Sequence, residues 1–159
     1  MPLAIGSQAP DFKLHESMNE THQLSDYLGK KNVLLLFFPQ AFTGVCTKEL
    51  CGVRDDIARY QHSDAQVLAI SVDSVFTLAQ FKEAQQLNFP LISDFNKEVS
   101  TAYECIYDAF TPMNMKGVSK RSAFVIDKQG TIQYAEVLEN AGEVPNFQAI
   151  NEVLNRLTA

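Results

Sequence analysis

The sequence has little with which to hold a nucleic acid, a metal or a disulfide scaffold. Its 159 residues include 13 Lys or Arg against 19 Asp or Glu, a net charge of −6, and no basic stripe gathers the cations. Phosphate backbones are bound by clustered cations, so nucleic acid is excluded as the main ligand. Three cysteines are an odd number and too few for a disulfide framework. The histidines, His15, His22 and His62, are scattered without ligand spacing and read as surface residues. The acidic residues show no pairing of the kind used in acid–base catalysis. No metal or cofactor is expected.

Long apolar runs are also missing. The longest, Val33 to Pro39, is far short of the roughly 20 residues that cross a bilayer. The opening MPLAIGSQAPDF has neither a basic segment nor a leader-like apolar stretch. The chain is therefore expected in the cytoplasm, with no membrane partner. No repeat, low-complexity tract or linker appears, and residues 1–159 are expected to form one domain.

What is present is ordinary for a globular chain: 46% apolar and 20% charged residues, enough to build a core. VLLLFF, Val33 to Phe38, reads as a strand buried on both faces. QVLAISV, Gln66 to Val72, reads as a second. FPLIS, Phe89 to Ser93, is a short third, expected at the side of the sheet because Pro90 sits near its start. Ser122 to Asp127 and Thr131 to Leu138 flank Lys128-Gln129-Gly130 as a hairpin.

Helices fill the gaps. Leu50, Val53, Ile57 and Tyr60 lie at steps of three and four and predict one helix face after Pro39. Ser74 is placed to cap a helix from about Phe76 to Leu87. Glu98 to Cys105 is a shorter candidate. Phe147, Ile150, Leu154 and Leu157 mark a last helix behind Asn146. This order, with right-handed crossovers and a terminal hairpin, gives an α/β fold of the thioredoxin-like type, a central mixed sheet flanked by helices.

Two of the three cysteines sit where the first buried strand gives way to a helix, in FFPQAFTGVCTKELCGVRDD. Cys46 falls near the helix N-terminus, where unpaired N–H groups and the positive dipole end favour a thiolate. It shares the inward face with Leu50 and Val53, which recesses its sulfur under an apolar rim of Phe38, Phe42 and Val45. Thr43 can hydrogen-bond the sulfur or a bound oxygen. Cys51 is turned about 140° around the helix from Cys46. A disulfide needs Cα atoms within about 7 Å, so pairing the two requires local unwinding.

At these residues the sequence resembles the peroxiredoxins. Their P-x-x-x-T-x-x-C motif reads Pro39-Gln-Ala-Phe-Thr43-Gly-Val-Cys46. Ala9-Pro10-Asp11-Phe12, NVLLLFFP, LAISVD, FPLISD and KRSAFVIDKQG extend the likeness over nearly the whole chain. FFPQAFTGVC and FPLISDF are similar to the alkyl hydroperoxide reductase E type. CTKELCGVRD has the C-x-x-x-x-C spacing of the bacterioferritin-comigratory type.

The resemblance implies a thiol-dependent peroxidase for hydrogen peroxide and organic hydroperoxides. Cys46 would be the peroxidatic cysteine, oxidised to sulfenic acid. Thr43 would bond the peroxide and Pro39 would shield the oxidised sulfur. Arg121 would stabilise the thiolate, with Glu49 orienting it, and the Val45 and Cys46 amides would hold the distal oxygens. Cys51 would resolve Cys46 as in the second type. Implied partners are thioredoxin, a glutaredoxin or mycoredoxin, or a low-molecular-weight thiol, and a second copy as a homodimer through Phe42 and Phe110 to Met115.

Alternatives stay open for single residues. Cys51 is either the resolving cysteine or an inert helix residue, which leaves a one-cysteine enzyme served by an external thiol. Cys105 reads as structural, with a lesser reading as the resolving cysteine. Arg54 reads as the partner of Asp55 rather than a site residue. A thioredoxin-like disulfide reductase would require C-x-x-C and a proline between Asn114 and Arg121, and neither is present. A zinc-binding module would need a second ligand pair, for which only Cys105 and scattered histidines remain.

Overall fold

In the computed structural model, which describes residues 3–158, seven strands form one mixed sheet in the order β2-β1-β5-β4-β3-β6-β7. The strands are β1 (Lys13–His15), β2 (Thr21–Gln23), β3 (Asn32–Phe37), β4 (Ala65–Ser71), β5 (Leu91–Ser93), β6 (Ser122–Ile126) and β7 (Ile132–Val137). The helices are α1 (Gly44–Asp55), α2 (Ile57–His62), α3 (Val75–Gln85), α4 (Glu98–Ala102) and α5 (Phe147–Thr158). Among the described residues no helix is long and apolar enough to cross a membrane.

β3 is buried along its whole length, and its alternation divides the molecule. Leu34, Leu36 and Phe38 enter one core with Leu50 and Val53 of α1, Phe81 of α3 and Leu154 of α5. Val33, Leu35 and Phe37 enter a second core with Val99 of α4, Tyr103 and Phe124.

β4 and β5 run parallel to β3, whereas β6 runs antiparallel to it, with Phe37 paired to Ser122. The residues that follow β3 and those that precede β6 therefore emerge at one sheet edge. This register places position 121 beside the start of the loop that carries Cys46.

Several expectations need correction. The helix expected through Tyr60 is two helices that break at Asp56 (φ −110°, ψ 19°). Gly52, Asp55 and Asp56 are poor helix formers, and Asp56 pairs with Arg59 at 2.7 Å instead. β5 is not at the side of the sheet, because β1 continues the sheet through His15 and Ser93 and β2 follows β1. These two strands have three residues each, and neither is fully buried, so no hydrophobic alternation announced them. Pro90 lies just outside β5 and its carbonyl accepts from the Ala69 amide at 3.0 Å. α4 stops before Cys105, where Glu104 takes a positive φ of 55°. Ser74 caps α3 as expected, its Oγ accepting from the Thr77 amide at 3.2 Å, and Asn146 before α5 accepts from the Ala149 amide at 3.1 Å through Oδ1.

Candidate active site

Thr43 holds the N-cap position of α1 in extended conformation, so Gly44, Val45 and Cys46 form its first turn. Their amides have no partner within the helix, whereas Thr47 N already donates to the Thr43 carbonyl at 2.9 Å. Cys46 is 1% exposed. Glu49 lies three residues further on, hence on the same helix face. Arg121 comes up from the start of β6 and grips both.

The guanidinium of Arg121 uses three donors. Nη2 donates to Cys46 Sγ at 3.1 Å, Nη1 to Glu49 Oε1 at 2.6 Å and Nε to the Ala141 carbonyl at 3.0 Å. All three side chains are buried. Burial alone would weaken the charge on Arg121, but Cys46 and Glu49 outweigh it and hold its pKa above the ordinary arginine value. Burial pushes the Glu49 carboxyl up to about 7, against the pull of Arg121. The Arg121 guanidinium is thus held between the Cys46 sulfur in the first turn of α1 and the Glu49 carboxylate on the same helix face.

The loop before α1 is held under strain. Phe42 adopts φ 66°, the left-handed region that bulky side chains avoid. Asp73, just beyond β4, fixes this turn: its Oδ2 accepts from the Ala41 amide at 2.8 Å and from Ser71 Oγ at 2.6 Å. Asp73 is a positioning residue that sequence reasoning missed. Its signal was an acidic residue ending a buried parallel strand, the end at which α/β sheets gather their sites.

An opening of about 420 Å³ leads to Arg121 between Thr43, Val45, Tyr107, Phe110 and Ala141. Thr43, Val45, Cys46, Glu49 and Arg121 are thus brought together. Pro39 is buried at the end of β3. Thr43 Oγ1 donates to the Gln40 carbonyl at 2.8 Å rather than to sulfur. Its oxygen lone pairs remain as acceptors.

The expected rim of Phe38 and Phe42 is not what walls this opening. Phe38 follows the β3 alternation into the core, its ring centroid 6.2 Å from that of Phe81. The turn at Phe42 sends its ring outward, 54% exposed, against Phe81 at 5.1 Å. Tyr107, Phe110 and Pro112 supply the apolar wall instead.

All three cysteines are free. Cys51 is half-buried on the side of α1 that faces α3, where its Sγ donates to Gln85 Oε1 at 3.5 Å. The intact helix keeps it away from the Arg121 face, as its 140° rotation requires. Arg54 pairs with Asp55 at 2.9 Å and donates to the Gln85 carbonyl at 2.6 Å. Cys105 lies in the second core, and burial pushes its thiol up to about 12.

His15 and His62 are exposed. His22 is not a plain surface residue: its side chain is 17% exposed and bonds Glu16 at 2.8 Å and Tyr27 at 2.7 Å. Short polar strands around it hid this network from sequence reading.

Residues 5–135 match the model of the AhpC/TSA family. The chain is 38% identical over 159 residues to alkyl hydroperoxide reductase E of Mycobacterium tuberculosis (strain ATCC 25618 / H37Rv), covering 99% of each protein. It is 34% identical over 147 residues to the chloroplastic 2-Cys peroxiredoxin BAS1 of Spinacia oleracea, covering 86% of this chain and 53% of that protein. The crystal structure of peroxidoxin BcpB from Mycobacterium tuberculosis superposes with a TM-score of 0.84 at 26% identity over 98% of each chain. With its thioredoxin-like fold, the chain belongs to the AhpC/TSA family and is a peroxiredoxin-type thiol peroxidase.

Proposed function

We propose that Cys46 is the peroxidatic cysteine for hydrogen peroxide and organic hydroperoxides. The observation that carries this is the 3.1 Å bond from Arg121 Nη2 to Cys46 Sγ inside a buried site. The thiolate attacks the nearer peroxide oxygen, an S–O bond forms as the O–O bond breaks, and water or an alcohol leaves. Arg121 stabilises charge spread over sulfur and oxygen, a role worth about 10²–10³ in rate where such donors have been removed elsewhere. The first-turn amides of Val45 and Cys46 hold the distal oxygen, and Thr43 Oγ1 accepts a hydrogen bond from the peroxide O–H. Pro39 closes the loop over the oxidised sulfur. Glu49 fixes the Arg121 fork.

Cys51 then resolves the sulfenic acid. The first turns of α1 unwind, Cys51 Sγ leaves Gln85 and attacks Cys46 Sγ, and water departs as the disulfide forms. Gly52 inside this helix lowers the cost of unwinding by about 1 kcal/mol relative to alanine. An external thiol returns the enzyme to the dithiol: thioredoxin, a glutaredoxin or mycoredoxin, or a low-molecular-weight thiol. The reading extends to a cytoplasmic homodimer of single domains, residues 1–159, that scavenges peroxide. Exposed Phe42 and Met113 offer apolar contacts to the second copy.

A one-cysteine cycle is the second reading, favoured by the bond of Cys51 to Gln85 on the far side of α1. Mass spectrometry after one equivalent of hydrogen peroxide separates the two. Loss of two protons, mapped to a Cys46–Cys51 peptide and absent in Cys51→Ser, is expected. A gain of one oxygen on Cys46 with no internal disulfide establishes the one-cysteine cycle. An unmodified Cys46 after minutes sinks the assignment.

A further inference from the structure

Glu49 is buried more deeply than a tether for Arg121 needs to be. Its side chain has no exposure to solvent. Oε1 accepts the Arg121 bond, whereas Oε2 is buried with no hydrogen-bond partner among the described residues. A buried carboxylate oxygen without a hydrogen-bond partner is one of the costlier groups a protein can carry, and each such atom in a native structure calls for an explanation.

Charge leads to the same atom. With Cys46 as a thiolate, one buried cation, Arg121, faces two buried anions. An uncompensated buried charge is strongly unfavourable. A proton on Oε2 makes the trio neutral and leaves the Arg121 bond to Oε1 intact.

The other groups around Glu49 do not supply that compensation. On its own helix Lys48 is exposed. From α2, the buried Tyr60 phenol is pushed up to about 12 by burial and stays neutral. Asp56 and Glu143, which border the hollow of about 730 Å³ behind α1, are acidic. The elevated carboxyl pKa of Glu49, about 7, agrees with this geometry.

We infer, on the reading that Cys46 is the peroxidatic cysteine, that Glu49 carries a proton on Oε2 while Cys46 is a thiolate and releases it when Cys46 becomes the sulfenic acid. The step balances. Sulfur gives two electrons to the peroxide, the attacked oxygen keeps its hydrogen as S–OH, and the departing oxide needs one proton. Glu49 loses one. Arg121 then has the Glu49 carboxylate as its partner anion, and the trio is neutral again. One proton passes, net, from Glu49 to the alcohol or water, so the buried charge is the same before and after oxidation. Glu49 is thus a positioning residue whose protonation alternates with the redox state of Cys46.

The test is reduced-minus-oxidised infrared difference spectroscopy at neutral pH on Cys51→Ser, in which Cys51 cannot resolve the sulfenic acid. One equivalent of hydrogen peroxide is the oxidant, and mass spectrometry of the same sample reads the oxygen on Cys46. The expected result is the C=O stretch of one undissociated carboxylic acid, present when reduced and lost on oxidation. It shifts in protein labelled with ¹³C-glutamate and is absent from Cys51→Ser/Glu49→Gln. The labelling identifies a glutamate even where the double variant folds poorly. Oxygen gained on Cys46 with no change in any carboxylic acid band overturns the inference, as does a band that survives Glu49→Gln. No oxygen on Cys46 overturns the peroxidase assignment and the inference with it.

Discussion

Cys46 and Cys105 are equally buried, 1% and 0% exposed, but in opposite surroundings. Cys46 belongs to the core under α1, with the Arg121 guanidinium against its sulfur. Cys105 belongs to the core on the other side of β3, with Phe37, Tyr103 and Phe124. There burial pushes the thiol up to about 12, and the Ser122 hydroxyl only partly opposes it. Burial by itself silences a thiol; burial that includes a fixed cation and a helix N-terminus prepares it for reaction. Depth is shared between the two sites, and the charge built into it is not.

The largest expected break in this comparison comes from removing the cation. Arg121→Ala should slow peroxide reduction by about 10²–10³ and move the rise of the pH–rate profile upward, measured by stopped-flow kinetics. Because that variant strands the Glu49 carboxyl in the core, Arg121→Ala/Glu49→Gln should be slowed to a similar degree while folding better. A rate within about twofold of wild type would remove Arg121 from the site.

Glu49 provides a sharper and somewhat smaller effect. Its folded-state pKa of about 7 lies above its ordinary 4.5. Between those values the unfolded chain has lost the proton and the native state keeps it, so stability falls as pH rises through this window. Relative to Glu49→Gln, the wild type should lose about 3 kcal/mol between pH 4.5 and 7, measured by urea unfolding. Parallel stability curves for the two proteins would contradict this.

The smallest effect tests the silent cysteine. Cys105→Ala should cost about 1–2 kcal/mol through the small cavity it leaves and leave the peroxide reduction rate unchanged. A large loss of turnover with stability intact would make Cys105 the resolving residue instead.

Much of this molecule was legible in the sequence because its signals are local. The β3 run, the Ser74 and Asn146 caps and the β6–β7 hairpin each depend on residues within a few positions of one another. The N-terminal pair β1 and β2 was not legible, because three-residue strands with exposed faces carry no period. At the site, Cys46 and Glu49 could be placed on one helix face from their spacing. The outward turn of Phe42 could not, since the turn that carries its positive φ is tied by a bond from Ala41 to Asp73, 32 residues away.

By itself the sequence determined that a cysteine sits in the first turn of a helix behind a fully buried strand, with a second cysteine on the other side of that helix. Those are consequences of helix periodicity and of short-range backbone preference. The family resemblance already named Arg121 as the partner and Cys105 already read as structural, but only the tertiary structure decided how Arg121, 75 residues from Cys46, reaches its sulfur, which core encloses Cys105, and that one oxygen of Glu49 is buried without a hydrogen-bond partner among the described residues. Each depends on the antiparallel register of β6 on β3 and on which face of β3 a residue meets, and both are set by long-range packing rather than by neighbours in the chain.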